Sequence, residues 1–486
     1  MRQIVVKPRQ AALNGDEPSL KQCAAPTMQS DVPSAVFNPS MTRIALFRSD
    51  FFRRSDPTLL NWCGWLVVAV AFSVPLGSAT SNVLGGALLL TLIATGGYHE
   101  HWHRWRVHPF ALLTLILFSV IFVGASYSSA PSDEIRRALT KYSRLLYAPI
   151  AIAVLTDARW RRRALLAWMS AMLATLVLSY VHVFWAFPFG KTHLPHELDD
   201  HFVFKHHITQ NVMMSVFFVA AFAEAWRCRA QKKGAALVDC AWVWVPVAIA
   251  AVVNILYYVH GRAGYVTLLV NLIVVAIVAF VAARDNRLRL AAGTLVAVAV
   301  MAALASDIVR ERFQTAFSEV ESSQAEGIKT SIGQRMEYAS KSIELVQARP
   351  VLGWGAGSYA MEYCRIAKSP EWCRIGSYNP HNQFLFFAVQ FGVLGLGALI
   401  AWLITAGWVM RNLPLGDKLV GYSLLATLLV HCMLDSPLFI VTEGTWYPLM
   451  LGIFAAGAYC KNADSAQAVS NREAASTTAS TDGHSG

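Results

Sequence analysis

Long apolar runs separated by short polar and basic stretches recur from Leu59 to Tyr459. Crossing roughly 30 Å of hydrocarbon takes about 20 apolar residues in a helix, and these runs meet that requirement repeatedly. Twelve spans are expected, beginning near Leu59, Val83, Phe110, Tyr142, Ala164, Ile208, Cys240, Tyr265, Leu288, Gln383, Val420 and Trp446. The pattern predicts an all-α integral membrane protein of about twelve transmembrane helices, nine within residues 41–305 and three within 383–460. Between them, residues 306–382 form one large loop containing short helices. In its stretch Thr330 to Ala348, Ile332, Met336, Tyr338, Ile343 and Val346 recur at three- and four-residue spacings, the mark of a helix lying on the membrane or capping a cavity. Residues 1–40 and 461–486 are polar and rich in Ser and Ala, compositions expected of disordered tails.

Composition agrees with a membrane class: 55% of residues are hydrophobic and 15% charged, where soluble domains carry about 25% charged. The net charge of +11 does not point to nucleic acid, because the basic residues sit in short clusters between apolar runs. Loops on the side of the termini carry fifteen Arg and Lys, at Arg104 and Arg106, Arg159 to Arg163, Arg227 to Lys233, Arg284 to Arg289 and Arg411 to Lys418; the short loops opposite carry seven. The positive-inside rule therefore puts both termini in the cytoplasm and the large loop outside, in the periplasm of a Gram-negative host. In that oxidising compartment Cys364 and Cys373 are expected to close the segment CRIAKSPEWC as a stabilising bridge.

Cations on the outer side run against this bias and so ask for a reason. Arg262, in YYVHGRAGY, heads a span between Gly261 and Gly264. A mid-membrane Arg costs about 2.5–3.5 kcal/mol on insertion scales, so a phosphate or carboxylate partner is expected, with interfacial snorkelling as the alternative. In PSDEIRRALTKYSRLLYAP, Arg136, Arg137, Lys141 and Arg144 share much of one helical face, suited to a pyrophosphate, an acidic glycolipid or lipid headgroups. Farther on come Arg335 in GQRMEY, the glycine-rich RPVLGWGAGSY, and SYNPHNQFLFF, where Asn379 or Asn382 can cap the next helix and His381 lies at its anion-favouring N-terminus. Asn379 and Asn382 also count as candidate substrate-binding amides. GWGAG is not a nucleotide loop, since no strand precedes it and no Gly-Lys-Ser/Thr follows. No metal spacing is convincing; His182, His193, His196, His201, His206 and His207 with Asp199 and Asp200 leave only a weak metal reading. His431 and Asp435, four residues apart, either pair with each other or let Asp435 orient a cation such as Arg262.

Taken together, the many-spanning core, the Arg-Gly segment at Arg262, the outer loop with Arg335 and RPVLGWGAGSY, and HNQFL followed by QFGVLGLGAL resemble the O-antigen ligase and polymerase superfamily. The resemblance implies that Arg262, Arg335 and His381 are its essential arginines and histidine. It implies glycan transfer from undecaprenyl diphosphate to a sugar hydroxyl of lipid A-core at the outer face of the bacterial inner membrane, without cofactor, nucleotide or metal. Under it, the two arginines hold the diphosphate and His381 accepts the acceptor's proton or bonds phosphate. Without an evident outer carboxylate pair for a two-step route, inversion at the anomeric carbon is expected. Polymerases and protein O-oligosaccharyltransferases share the architecture and stay open as readings, as does a lipid or polysaccharide transporter, although transporters favour paired halves and midplane sites.

Overall fold

The computed structural model describes residues 52–185, 201–230, 241–282 and 330–458, which are helical throughout apart from turns and one isolated bridge between Ser55 and Gly96. The helices are α1 (Pro57–Ser73), α2 (Ser78–Ala94), α3 (Tyr98–Val107), α4 (Pro109–Ser126), α5 (Ser132–Tyr142), α6 (Tyr147–Val154), α7 (Ala158–Phe184), α8 (His207–Ala230), α9 (Ala241–Val253), α10 (Arg262–Ala282), α11 (Ser331–Ala348), α12 (Tyr359–Ile366), α13 (Pro370–Gly376), α14 (Gln383–Met410), α15 (Leu415–Leu434) and α16 (residues 441–458). Their starts follow local chemistry. Asp56, Asp157 and Thr330 accept amide hydrogens of the first turns of α1, α7 and α11, and Pro57 and Pro109 occupy first-turn positions that need no amide.

Six helices among the described residues are long and apolar enough to cross a bilayer: Pro109–Ser126, Ala158–Phe184, His207–Cys228, Arg262–Ala282, Gln383–Met410 and Leu415–Leu434. Residues 57–73, 78–94 and 242–258 are shorter apolar helices. Large apolar side chains at Val83, Leu90, Phe122, Ile277, Val281 and Ile404 face outward, as a hydrocarbon solvent requires. The expected span near Leu288, both tails and residues 306–329 of the large loop lie outside the described residues.

The expected span near Tyr142 takes another form. α5 tightens into a 3-10 turn at Ser143–Leu146, and α6 is only eight residues long, a rise of roughly 12 Å that cannot cross a bilayer alone. Hydropathy read this stretch as one run because the apolar residues of α6 are buried in protein and not in lipid.

Aromatic stacking fills the core: Trp168 lies on Trp446 at 5.9 Å and Phe110 on Trp402 at 5.4 Å between ring centroids. Polar ties fix register between helices. Asn271 of α10 bonds Ser215 of α8 at 3.1 Å and Thr427 of α15 at 3.0 Å, and Trp402 of α14 donates to Thr114 of α4 at 2.8 Å. Such bonds are inexpensive to keep and costly to leave unmade where no water competes.

α14 is broken. Gly392 has φ 61° and ψ −159°, so the helix bends there and leaves carbonyls without helical donors. The glycine-rich segment supplies the missing donors: the Trp354 amide bonds Val389 O at 3.0 Å, the Gly355 amide bonds Gln390 O at 2.8 Å, and the Val393 amide closes on Pro350 O at 2.8 Å. The Ala356 amide bonds Gly124 O at the end of α4, and the Gly357 amide bonds the Gln390 side chain. A Cβ at Gly353 or Gly355 would fall 2.5 Å or less from neighbouring atoms, and both residues have positive φ. The glycines of RPVLGWGAGSY thus let its backbone approach the backbone of α14.

Candidate functional site

One end of the bundle gathers the chemistry. The turn before α14 is set by two asparagines. Asn382 caps α14 by accepting the Leu385 amide at 3.0 Å, and Asn379 accepts the His381 amide at 2.7 Å. The oxygens of both side chains, expected to meet substrate, are thus occupied by backbone. Between them His381 has φ 52°, a left-handed conformation uncommon for a residue with a side chain and tolerated here because Asn379 and the α14 cap hold both of its flanks.

That backbone setting aims the His381 ring at Asp435, just beyond α15, with Nδ1 3.2 Å from Oδ1. The Asp435 carboxylate also accepts the Ser436 amide at 2.7 Å, and the following turn is tied back to α14 where Gln383 accepts the Leu438 amide at 2.9 Å. Burial raises the Asp435 carboxyl, but the bond and charge of His381, then His431 and the Ser436 amide, outweigh it and hold its pKa below the usual carboxylate range. An ionised Asp435 makes Nδ1 the protonated nitrogen of a neutral His381 and leaves Nε2 as the acceptor. Asp435 thus bonds His381, while His431 is buried against the Tyr447 hydroxyl at 3.2 Å.

Tyr338 of α11 stacks on the His381 ring with centroids 6.0 Å apart and an interplanar angle of 26°. Arg335 lies one turn earlier on α11 and is exposed, so the helix expected from Thr330 to Ala348 brings Arg335 and His381 to one neighbourhood. Beside it, α12 and α13 are joined by the disulfide Cys364–Cys373, with Cα atoms 4.6 Å apart.

The basic face of α5 reaches the same place. Buried Tyr142 packs on Phe387, Phe391 and Phe439 and accepts a bond from Gln390 at 3.3 Å, fastening α5 to the break in α14. Lys141 then lies 3.8 Å above the Phe439 ring and 4.8 Å above that of Tyr378. Burial, with Arg137 and Arg144, lowers the Lys141 ammonium to about 8 against the opposing pull of Glu134. Burial together with Asp435 and Glu443 raises the Tyr378 phenol, with Arg137 acting the other way. Arg136 and Arg137 are exposed, Arg137 pairing with Glu134 at 3.0 Å; Arg144 is half-buried and reaches Asn82 at 3.5 Å.

Arg262 is the first residue of α10 and is exposed. Gly264 and Asn271 of α10 meet Asn211 and Ser215 of α8 in the same order, and the far end of α8 bonds the start of α15 at Asp417, so α10 and α15 run antiparallel; from the Asn271–Thr427 bond, the nine residues back to Arg262 and the eight forward to Asp435 each span roughly 12–14 Å of helix. Arg262 therefore stands at the level of Asp435, though the bonds of His381 run to Asn379 and Asp435. Gly264 has a clear purpose: a Cβ there would meet Asn211 of α8 at 2.7 Å.

Sequence reasoning missed Tyr338, Tyr378 and a buried polar cluster beside the site. In that cluster Lys205 donates to Ser78 at 2.8 Å and Thr442 at 3.1 Å, and Thr209 donates to Glu443 at 2.5 Å. A lysine just before an apolar run was the available signal. Among the described residues no three His, Cys, Asp or Glu side chains are placed to hold a metal; His182 and His201 pair with each other at 3.1 Å, while His193, His196, Asp199 and Asp200 lie outside the described residues.

No curated protein matches the chain. Residues 247–400, from α9 into α14, match a family model described as O-antigen ligase. This segment, which carries Arg262, Arg335 and His381, is similar to the O-antigen ligase family.

Proposed function

We propose that the protein is an O-antigen ligase of the bacterial inner membrane, with its site at the periplasmic face and both termini in the cytoplasm. It moves glycan from undecaprenyl diphosphate to a sugar hydroxyl of lipid A-core. The observation that carries this reading is the His381–Asp435 pair at 3.2 Å, held at one end of the bundle beside a basic helix. His381 Nε2 accepts the proton of the acceptor hydroxyl as its oxygen attacks the anomeric carbon; the imidazolium that forms is stabilised by Asp435. The bond from the anomeric carbon to the diphosphate oxygen breaks on the opposite side, which inverts the configuration. Arg335 and Arg262 take up the charge developing on the leaving diphosphate, and the face bearing Arg136, Arg137, Lys141 and Arg144 holds acidic groups of donor or acceptor. Asn379 and Asn382 keep amide N–H groups for sugar hydroxyls after their oxygens are used. The reaction so written needs neither cofactor nor metal.

The test is transfer by purified protein from an undecaprenyl-diphosphate glycan to lipid A-core, with chelator present and no nucleotide. Glycan on the acceptor is the expected result. Lengthening of the glycan on its own carrier would replace this reading with a polymerase, and transfer to a protein hydroxyl with an oligosaccharyltransferase. Vectorial movement of either lipid without any new bond would make the chain a transporter.

A further inference from the structure

At the end of the bundle remote from His381, α7, α8, the turn between α14 and α15, and α16 enclose a cavity of about 340 Å³. Its lining has two characters: Arg161, Arg162, Arg227, Glu224 and Asp417 are charged, and Leu165, Leu413, Ile453 and Phe454 are apolar.

The charged group is built and not incidental. Glu224, its side chain 3% exposed, takes both guanidinium nitrogens of Arg162 and one of Arg227, whose other terminal nitrogen bonds Asp417. Arg161 donates to the carbonyls of Leu155 at 3.1 Å and Thr156 at 2.9 Å. These bonds orient three guanidinium groups around the space, and a guanidinium has five N–H donors, so Arg162 and Arg227 keep donors beyond those given to the two carboxylates. Among the described residues the lining carries three arginines against two acids.

The surroundings set the depth. Arg163 lies over Trp160 at 4.7 Å and Trp65 at 5.2 Å, and Arg411 over Trp408 at 4.5 Å, a belt of the kind that sits at lipid headgroups. Guanidinium groups at headgroup level, with apolar side chains such as Leu165 and Ile453 one turn farther along the lining helices, match one chemistry: a phosphodiester carried on an acyl chain. A soluble nucleotide would leave the apolar side chains unused, and a neutral lipid would leave the arginines unused.

We propose that this cavity binds an anionic phospholipid, with the phosphodiester on Arg161 and Arg162 and the upper acyl chain along Leu165, Ile453 and Phe454. The site is separate from the donor and acceptor site, since the 20-residue α15, about 30 Å long, lies between Asp417 and Asp435. The lipid would bridge the starts of α7 and α15 to the ends of α8 and α16, the elements whose other ends carry Thr209, Asp435 and Glu443.

The full chain, extracted into detergent and exposed to equimolar phosphatidylglycerol and phosphatidylethanolamine, is to be examined by native mass spectrometry and thermal melting. One phosphatidylglycerol should remain bound per chain, in at least tenfold preference, and should raise the melting temperature. Gly457→Leu fills the space, because even a Cβ at Gly457 lies 3.2 Å from Arg161 Nε and 3.4 Å from Leu413 Cδ2. It should abolish retention, and Arg161→Gln, which removes charge without adding bulk, should weaken it at least tenfold. Equal retention of the two lipids, or retention unchanged in Arg161→Gln, would overturn the proposal. So would equal stabilisation by inorganic phosphate alone, which would make the ligand a soluble anion.

Discussion

Asp435→Asn is the sharpest perturbation of the site, because it changes one atom of a pair whose geometry is fixed from three directions. The Asn oxygen still accepts the Ser436 amide, so the turn after α15 keeps its internal bond. What is lost is the charge opposite His381 Nδ1 at 3.2 Å. A hydrogen bond to a charged group contributes about 1.5–3 kcal/mol, and the interaction strengthens as His381 takes on a proton. At 1.36 kcal/mol per decade of rate, kcat should fall roughly 10- to 150-fold. If the new side chain turns its N–H₂ toward Nδ1, the tautomer reverses, Nε2 carries the proton, and the loss grows further. The KM for donor should stay close to wild type, because Asp435 meets His381 and not the diphosphate. The assay is steady-state transfer by protein reconstituted in vesicles, with melting temperature as a check on folding. A kcat within about threefold of wild type, equivalent to about 0.7 kcal/mol, would refute the orienting role of Asp435.

Other consequences can be measured independently. Lys141, with its ammonium at about 8 against an ordinary 10.5, is only about one-tenth charged at pH 9. Its folded-state pKa is lowered, so its effect on stability becomes more favourable as pH rises from about 8 to 10.5, while anion binding weakens over the same window. The KM for donor should therefore climb between pH 7 and 9 in the wild type and stay flat in Lys141→Arg; parallel curves would take Lys141 out of the site. Gly392→Ala should cost roughly 3 kcal/mol and lower the melting temperature, since its φ and ψ suit glycine alone and a Cβ would lie 2.2 Å from Val351 O; an unchanged melt would refute the docking described. Cys364→Ser opens a bridge across nine positions, worth about 2.5 kcal/mol in chain entropy, and should speed tryptic cleavage at Lys368 between α12 and α13; cleavage at the wild-type rate would show that packing alone holds the pair.

How far the sequence carries depends on whether a signal is local. The spans from Phe110, Ala164, Tyr265, Gln383 and Val420 are legible because hydrocarbon demands uninterrupted apolar residues, and no tertiary contact alters that demand. The helix from Thr330 follows from its periodicity and its capping threonine. Tyr142 misleads, because residues buried in protein read the same as residues facing lipid. The glycines of GWGAG mark a close approach, but what they approach, the α14 carbonyl row exposed by Gly392, is revealed by no local pattern. The partner of His381 was out of reach for a similar reason. Asp435 lies 54 positions away, and only the return of the chain through α14 and α15 brings it within 3.2 Å.

The docking of residues 353–357 onto the break in α14 also dictates where this protein can be cut and recombined. Residues 350–357 and α14 are one hydrogen-bonded unit that includes the end of α4 at Gly124. A chimera that takes only the loop from a relative would place foreign amides over a helix lacking the matching break, or leave the exposed carbonyls of this one unanswered. Exchange of substrate preference with a protein of similar sequence should therefore succeed when the graft spans the loop through α14 together with the end of α4, and fail when its boundary falls between Trp354 and Gly392.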